Sequence, residues 1–190
     1  MRLILDTAPT DQAISLDLAK AHLRVDGAAE DDLIALYLAS ALKHIEDLAG
    51  LLLMRQAWVI ERPDFPKSSN PMLVPLRPFI GVVSLTYADE AGADVVMDAS
   101  DYMVDCAGER SFARISPSAD GWPCVQNDRA NAVRIKVSVG WEAVDKVPAS
   151  LRNAALLALG AFYENRGDNT AALPPAIESL IAGFRPPGIA

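Results

Sequence analysis

Histidine and cysteine are scarce in this chain, two of each in 190 residues, and their placement removes most metal and redox chemistry. Cys106 and Cys124 stand apart, with no Cys-x-x-Cys and no Cys/His spacing, so neither a disulfide framework nor a zinc site is expected. His22 and His44 both fall on segments that read as helix. Neither has a second His or Cys three or four residues on, which is what a ligand pair on one helical face requires. No Gly-x-Ser-x-Gly elbow surrounds Ser84, Ser111, Ser116 or Ser138, and no histidine lies in the strand-rich middle to act as their base. A phosphate cradle is missing as well, because the sequence holds neither Gly-x-Gly-x-x-Gly nor a Walker pattern. The expectation is therefore no catalytic residue, no cofactor and no metal: a protein that binds and does not convert.

Long apolar runs are also lacking. Leu48 to Met54 and Ala154 to Phe162 fall far short of the ~20 residues that cross a bilayer. The opening Met1-Arg2-Leu3-Ile4-Leu5-Asp6 holds too short an apolar stretch for a signal-peptide core. A soluble chain made in the cytoplasm, with no membrane partner, is expected. Basic charge is in deficit, with 17 Lys and Arg against 25 Asp and Glu, so the overall field repels polyphosphate and disfavours tight DNA binding. Arg134 and Lys136 on one strand face, with Arg110 and Arg114 nearby in sequence, could form a small basic stripe. A solvated strand face is the better reading of them.

What is abundant is hydrophobic side chain, 51% of the total, ample for a buried core in a chain of this length. Ser15 is a good N-cap, and Leu16, Ala19 and Leu23 recur at helical spacing before Asp26-Gly27, giving a short first helix to about Arg24. Ile34, Leu38, Ala41, Ile45, Leu48 and Leu52 then repeat at spacings of four and three, a long second helix whose acidic start, Glu30-Asp31-Asp32, suits the positive helix end.

From Gln56 the period changes to two. Trp58 to Arg62 reads as a strand, and Met72 to Leu76 as another. A hairpin runs from Val83, Leu85 and Tyr87, through Asp89-Glu90-Ala91-Gly92, into Val95-Val96-Met97, and a second joins Tyr102–Asp105 to Phe112–Ile115 around Gly108. Val133, Ile135, Val137 and Val139 alternate with Arg134, Lys136 and Ser138 in the cleanest strand of all. Pro148 opens a third helix with a stripe of Leu151, Ala155, Ala158 and Phe162 and a stop at Gly167, and Pro174-Pro175 opens a fourth through Ile177, Leu180 and Ile181 to Phe184.

The fold class expected is α+β. About four helices form an antiparallel bundle, and a small antiparallel β subdomain is inserted between helices two and three. The corresponding segments are 1–55, 56–146 and 147–190. Trp58, Trp122 and Trp141 sit at strand ends or turns and serve a core edge or an interface. The run Tyr163-Glu164-Asn165-Arg166 closes the third helix, where Arg166 can bond free carbonyls or pair with a carboxylate of the front helices.

Several segments in order resemble the head-tail connector, or adaptor, proteins of long-tailed phages and gene transfer agents. They are Leu18-Ala19-Lys20-Ala21-His22-Leu23-Arg24-Val25-Asp26 before an acidic helix start, Leu76-Arg77-Pro78-Phe79-Ile80 leading into Val83-Ser84-Leu85-Thr86-Tyr87, Val147-Pro148 with the Tyr163 to Arg166 run, and Leu180-Ile181-Ala182-Gly183-Phe184-Arg185. Where that family commonly ends on Pro-Tyr-Arg, this chain has Gly183-Phe184-Arg185. The resemblance implies a virion protein at the head-tail junction, made in the bacterial cytoplasm. Copies would form a ring, thought to be twelvefold, under the portal protein, and present a platform to a stopper or tail-terminator protein. Double-stranded DNA would pass through without being read. It further implies a terminal arm for portal binding, for which Ile181, Phe184, Arg185, Pro186 and Pro187 are the candidates. The competing expectation is a small helical regulator that binds another protein through its helix seam, and a hydrolase is the weakest reading.

Overall fold

The structure, a computed structural model, describes residues 1–67, 69–118, 121–126, 128–166 and 173–185. The chain divides into two compact units: a helical one of Thr10–Met54 and Trp141–Ala190, and a strand-rich one of Met1–Pro9 and Arg55–Gly140.

In the helical unit, α1 (Leu16–Leu23) starts where the Ser15 hydroxyl accepts the Leu18 N–H at 3.2 Å, and it ends on Arg24 in the left-handed region, φ 56°. The second helix, α2 (Asp31–Ala49), buries Ile34, Leu38, Ala41, Ile45 and Ala49 along one stripe. It stops short of Leu52, the end its periodicity predicts, because Gly50 turns left-handed at φ 65° and the chain doubles back. Glu46 catches the returning chain twice. Its carbonyl accepts the Leu51 N–H at 3.0 Å and its carboxylate the Leu53 N–H at 2.8 Å, so Leu51 and Leu53 are buried outside the helix.

Helix α3 (Ala149–Glu164) has Pro148 as its cap residue, one position earlier than the first-turn site expected. Leu151, Ala154, Ala155, Ala158 and Leu159 are buried, while Phe162 is only partly so. The stop expected at Gly167 lies outside the described residues. Helix α4 (Ala176–Ile181) continues into a 3₁₀ turn, Ala182–Phe184. Helix α3 packs on α2 and α4, and α1 on α2 and α3. The Trp141 N–H reaches the Leu53 carbonyl just after α2, and Tyr163 near the end of α3 bonds Glu30 at the start of α2, so those two helices run in opposite senses.

The strand-rich unit holds a five-stranded antiparallel sheet in the order β1-β2-β8-β4-β5 and a three-stranded one in the order β3-β7-β6. The first comprises β1 (Arg2–Thr7), β2 (Gln56–Arg62), β4 (Phe79–Ala88), β5 (Asp94–Val96) and β8 (Val133–Val139). The second comprises β3 (Met72–Leu73), β6 (Tyr102–Asp105) and β7 (Arg114–Pro117). Strand β8 is central, flanked by β2 and β4, and Val133, Ile135, Val137 and Val139 are all buried. Both expected hairpins form. In the first, Asp89 closes the turn by accepting the Ala93 N–H at 2.8 Å, and Gly92 takes the positive φ of 85° that a side chain would resist.

Two features depart from the alternation in the sequence. Strand β1 is not among the elements expected, because an apolar triplet is too short to show a period. It pairs with β2 from Arg2 opposite Glu61 to Thr7 opposite Ala57, so residues 1–9 belong with the strands and not with the helices. In β4 the register to β8 shifts between Val82 and Ser84. The extra residue of this bulge leaves Val83 57% exposed while Leu85 is buried, although both were expected on one face.

Ile135 in the middle strand and Leu36 on the outer face of α2 are 2% and 62% exposed. Ile135→Ala is expected to lower unfolding free energy by about 2–5 kcal/mol. Leu36→Ala should change it by no more than about 0.5 kcal/mol. Urea denaturation of each variant against the parent chain measures both.

Candidate functional site

Among the described residues, no three His, Cys, Asp or Glu side chains converge on a common point, and none of the helices is long and apolar enough to cross a membrane. An open cleft of about 510 Å³ in the strand-rich unit is lined by Asp64, Phe65, Glu90, Trp122 and Cys124 among others. Its floor is aromatic packing, with the Phe65 and Trp122 rings stacked at 4.7 Å and the Trp122 indole N–H given to the Asn70 carbonyl at 2.9 Å. The other two tryptophans are also structural. Trp58 donates to Gln56 Oε1 at 3.0 Å, and Trp141 is buried in the helical core.

The basic stripe considered from the sequence is not assembled. Arg134 pairs with Asp94 at 2.6 Å and Lys136 with Asp6 at 2.7 Å, while Arg114 lies on β7 of the other sheet. With each cation of β8 matched by a carboxylate, little positive field is left for a phosphate backbone.

The run at the end of α3 does form a site of interaction, with a partner in its own chain. The Tyr163 hydroxyl donates to Glu30 Oε2 at 2.6 Å, and Arg166 Nη2 donates to the same oxygen at 2.8 Å. Arg166 Nε donates back to the Tyr163 carbonyl at 3.1 Å, and its guanidinium lies 4.1 Å from the centre of the Tyr163 ring. Asn165 donates to the Ala161 carbonyl at 2.9 Å. Glu164 faces solvent. Arg166 thus satisfies an orphan carbonyl of the helix end and pairs with a carboxylate of the front helices. Glu30 is the residue whose role the sequence understated. It reads as helix-start electrostatics, yet it also fastens the end of α3.

The hydrogen bond from Tyr163, ahead of that from Arg166, holds the Glu30 carboxyl below its ordinary range, and the same bond pushes the Tyr163 hydroxyl up. Beside this staple, Lys20 of α1 reaches Asp31 at 2.6 Å.

The candidate arm divides at Arg185. Ile181 is fully buried in the helical core and Phe184 packs partly against it. Arg185 Nε donates to the Leu48 carbonyl at 3.3 Å, and its Nη2 lies 2.6 Å from Glu178. Ile181 is therefore a core residue and not part of a free arm, because its apolar side chain is removed from water on every side. Pro186 and Pro187 lie outside the described residues.

Because the folded Glu30 carboxyl is depressed below its unfolded value near 4.5, its contribution to stability is complete above that pH. It is lost as pH falls through the folded pKa. Glu30→Gln is expected to melt below the parent chain at pH 7, with the gap closing as the pH drops under 4.5. Melting curves at several pH values test this, and a gap that persists unchanged into acid would contradict the ionic staple.

Comparison with known proteins places this arrangement. The family model described as phage gp6-like head-tail connector protein matches residues 13–105, from the segment before α1 to the end of β6. Among curated proteins, none matches. Among solved structures, the fold is similar to a chain in the neck of an empty gene transfer agent particle computed with C6 symmetry, at a TM-score of 0.82 and 23% identity, covering 98% of this chain and 96% of that one. A chain from the virion of a native gene transfer agent particle aligns over the same shares at a TM-score of 0.82 and 24% identity. One from the neck of a native particle computed with C12 symmetry does so at 0.80 and 22%. Residues 13–105 thus match the model of the phage gp6-like head-tail connector family, in a chain whose fold is shared along nearly its whole length with those neck chains.

Proposed function

We propose that this protein is a structural component of a virion neck. Copies of it form an adaptor ring, twelvefold in the complete neck, that joins the portal protein of a DNA-filled head to the next neck protein, a stopper or tail terminator. The observation that carries this reading is the similarity of fold over 98% of the chain to chains of gene transfer agent necks, joined to the connector-family match. No enzymatic role is proposed. The helical unit and the strand-rich unit give each copy two different surfaces, as a ring closed by one repeated head-to-tail contact needs.

Charge supports the same reading. At a net charge of −8 per copy, a ring of such chains repels duplex DNA and lets it slide, where a basic ring would bind phosphates and release counterions. On the side of the portal, residues after Arg185 act as the arm. The anchors of Arg185 on Glu178 and Leu48 hold its root to the helical unit.

Mixing the purified chain with isolated portal rings and imaging the product by electron microscopy tests the reading. Ring density added beneath the portal is the expected result, and no association with competent portal rings would overturn it. A chain lacking residues 186–190 should keep the parent melting temperature and lose attachment to the portal. Full attachment would refute the arm.

A further inference from the structure

The segment Leu76-Arg77-Pro78, just before β4, places its arginine inside the strand-rich unit. Arg77 is 1% exposed and is the largest fully buried side chain among the described residues. Gln56 and Ser138 are the other buried polar side chains among them, and neither carries a charge. Taking a guanidinium out of water is costly, and an apolar side chain of similar volume often serves stability as well or better. Packing alone therefore gives no reason for an arginine at this position.

Its contacts give one. Arg77 Nη1 donates to the Arg110 carbonyl at 2.7 Å, across 33 residues of sequence. Its guanidinium lies 5.0 Å from the centre of the Phe112 ring, within the range of a cation–π contact. Both partners belong to the segment 106–113, which joins β6 to β7. A lysine could supply the charge, but not a planar fork that stacks on a ring while it donates to a carbonyl, so the two contacts fix direction as well as distance.

Burial orders this loop only at its far end. Ala113 is fully buried, and its carbonyl accepts the Val74 N–H at 2.9 Å, whereas Ala107, Gly108, Glu109 and Arg110 are exposed. Within the loop the Ser111 N–H reaches the Gly108 carbonyl at 3.1 Å and closes a turn in which Gly108 takes a φ of 103°, a conformation that favours glycine. That turn is local, and the bond to Arg77 ties it to the buried interior of the unit. Exposed segments with few buried apolar contacts otherwise sit at the low-stability end of a fold. A loop ordered in advance is spared the entropy that ordering costs when it meets a partner.

We propose that Arg77 is a conformational latch: from inside the strand-rich unit it holds the β6–β7 loop in one shape in the free chain, and its effect is on the order of that loop and not on the stability of the fold. The inference stands apart from the neck reading, and its test uses the chain alone.

Backbone NMR relaxation and limited trypsin digestion of the parent and Arg77→Met chains provide that test. In the parent, the order parameters of residues 107–111 are expected near the ~0.85 of rigid backbone, and the Arg110–Ser111 bond should resist trypsin. In Arg77→Met the order parameters should fall toward the ~0.6 that marks flexible backbone, and cutting after Arg110 should be faster by about tenfold or more. The melting temperature should stay within about 4 °C of the parent or rise above it, because the exposed Arg110 can turn its freed carbonyl to water. Parent-like loop order in Arg77→Met would overturn the latch, and so would a flexible loop in the parent. A larger fall in melting temperature, or a chain that does not fold, would also overturn it, since Arg77 would then be an ordinary part of the core.

Discussion

The constraint on which the rest depends is that the chain must return to the point it left. It departs from the helical unit at Met54, runs through 55–140 as strands, and comes back at Trp141, whose N–H meets the Leu53 carbonyl at 3.4 Å beside the Met54–Trp141 bridge. Closing so long an excursion costs entropy only slowly with its length. Burial of Leu53, Met54 and Trp141 in the helical core opposes that cost. Without the closure, α3 and α4 would have no stripe to pack against, since α2 carries the matching apolar face. The strand-rich unit is bound by a like demand, because its central strand β8 pairs with β2 and β4 from opposite sides.

Charge is handled locally throughout. Glu30 gathers Tyr163 and Arg166, Asp31 takes Lys20, Asp94 takes two arginines, and Asp6 takes Lys136. These cations are consumed close to home, and the excess of acid is left to set the outer field. Such a distribution leaves little positive field for a phosphate backbone.

Helix existence and the strong strands were legible because burial imposes a period. The stripe of Ile34, Leu38, Ala41 and Ile45 has no other explanation, and neither has the alternation from Val133 to Val139. The end of α2 was misjudged by three residues, since Leu51 and Leu53 are as apolar as helix residues and only the left-handed Gly50 separates them from the seam. Strand β1 and the bulge at Val83 were not legible, because pairing partners and an extra residue in a register leave no local pattern.

The candidate site divides in the same way. From residue types alone, Arg166 at a helix end was assigned a carbonyl or a front-helix carboxylate as partner, and it takes both. That Glu30 is the carboxylate, and that Ile181 is core while its neighbour Arg185 lies at the surface, depended on how α2, α3 and α4 pack. The sequence by itself determined composition, charge, local period and the likeness to head-tail connectors, all of which are properties of residues near one another along the chain. Tertiary structure alone decided which edge of the sheet stays open and which distant side chains meet, because burial and pairing are set by partners that the chain brings together only when folded.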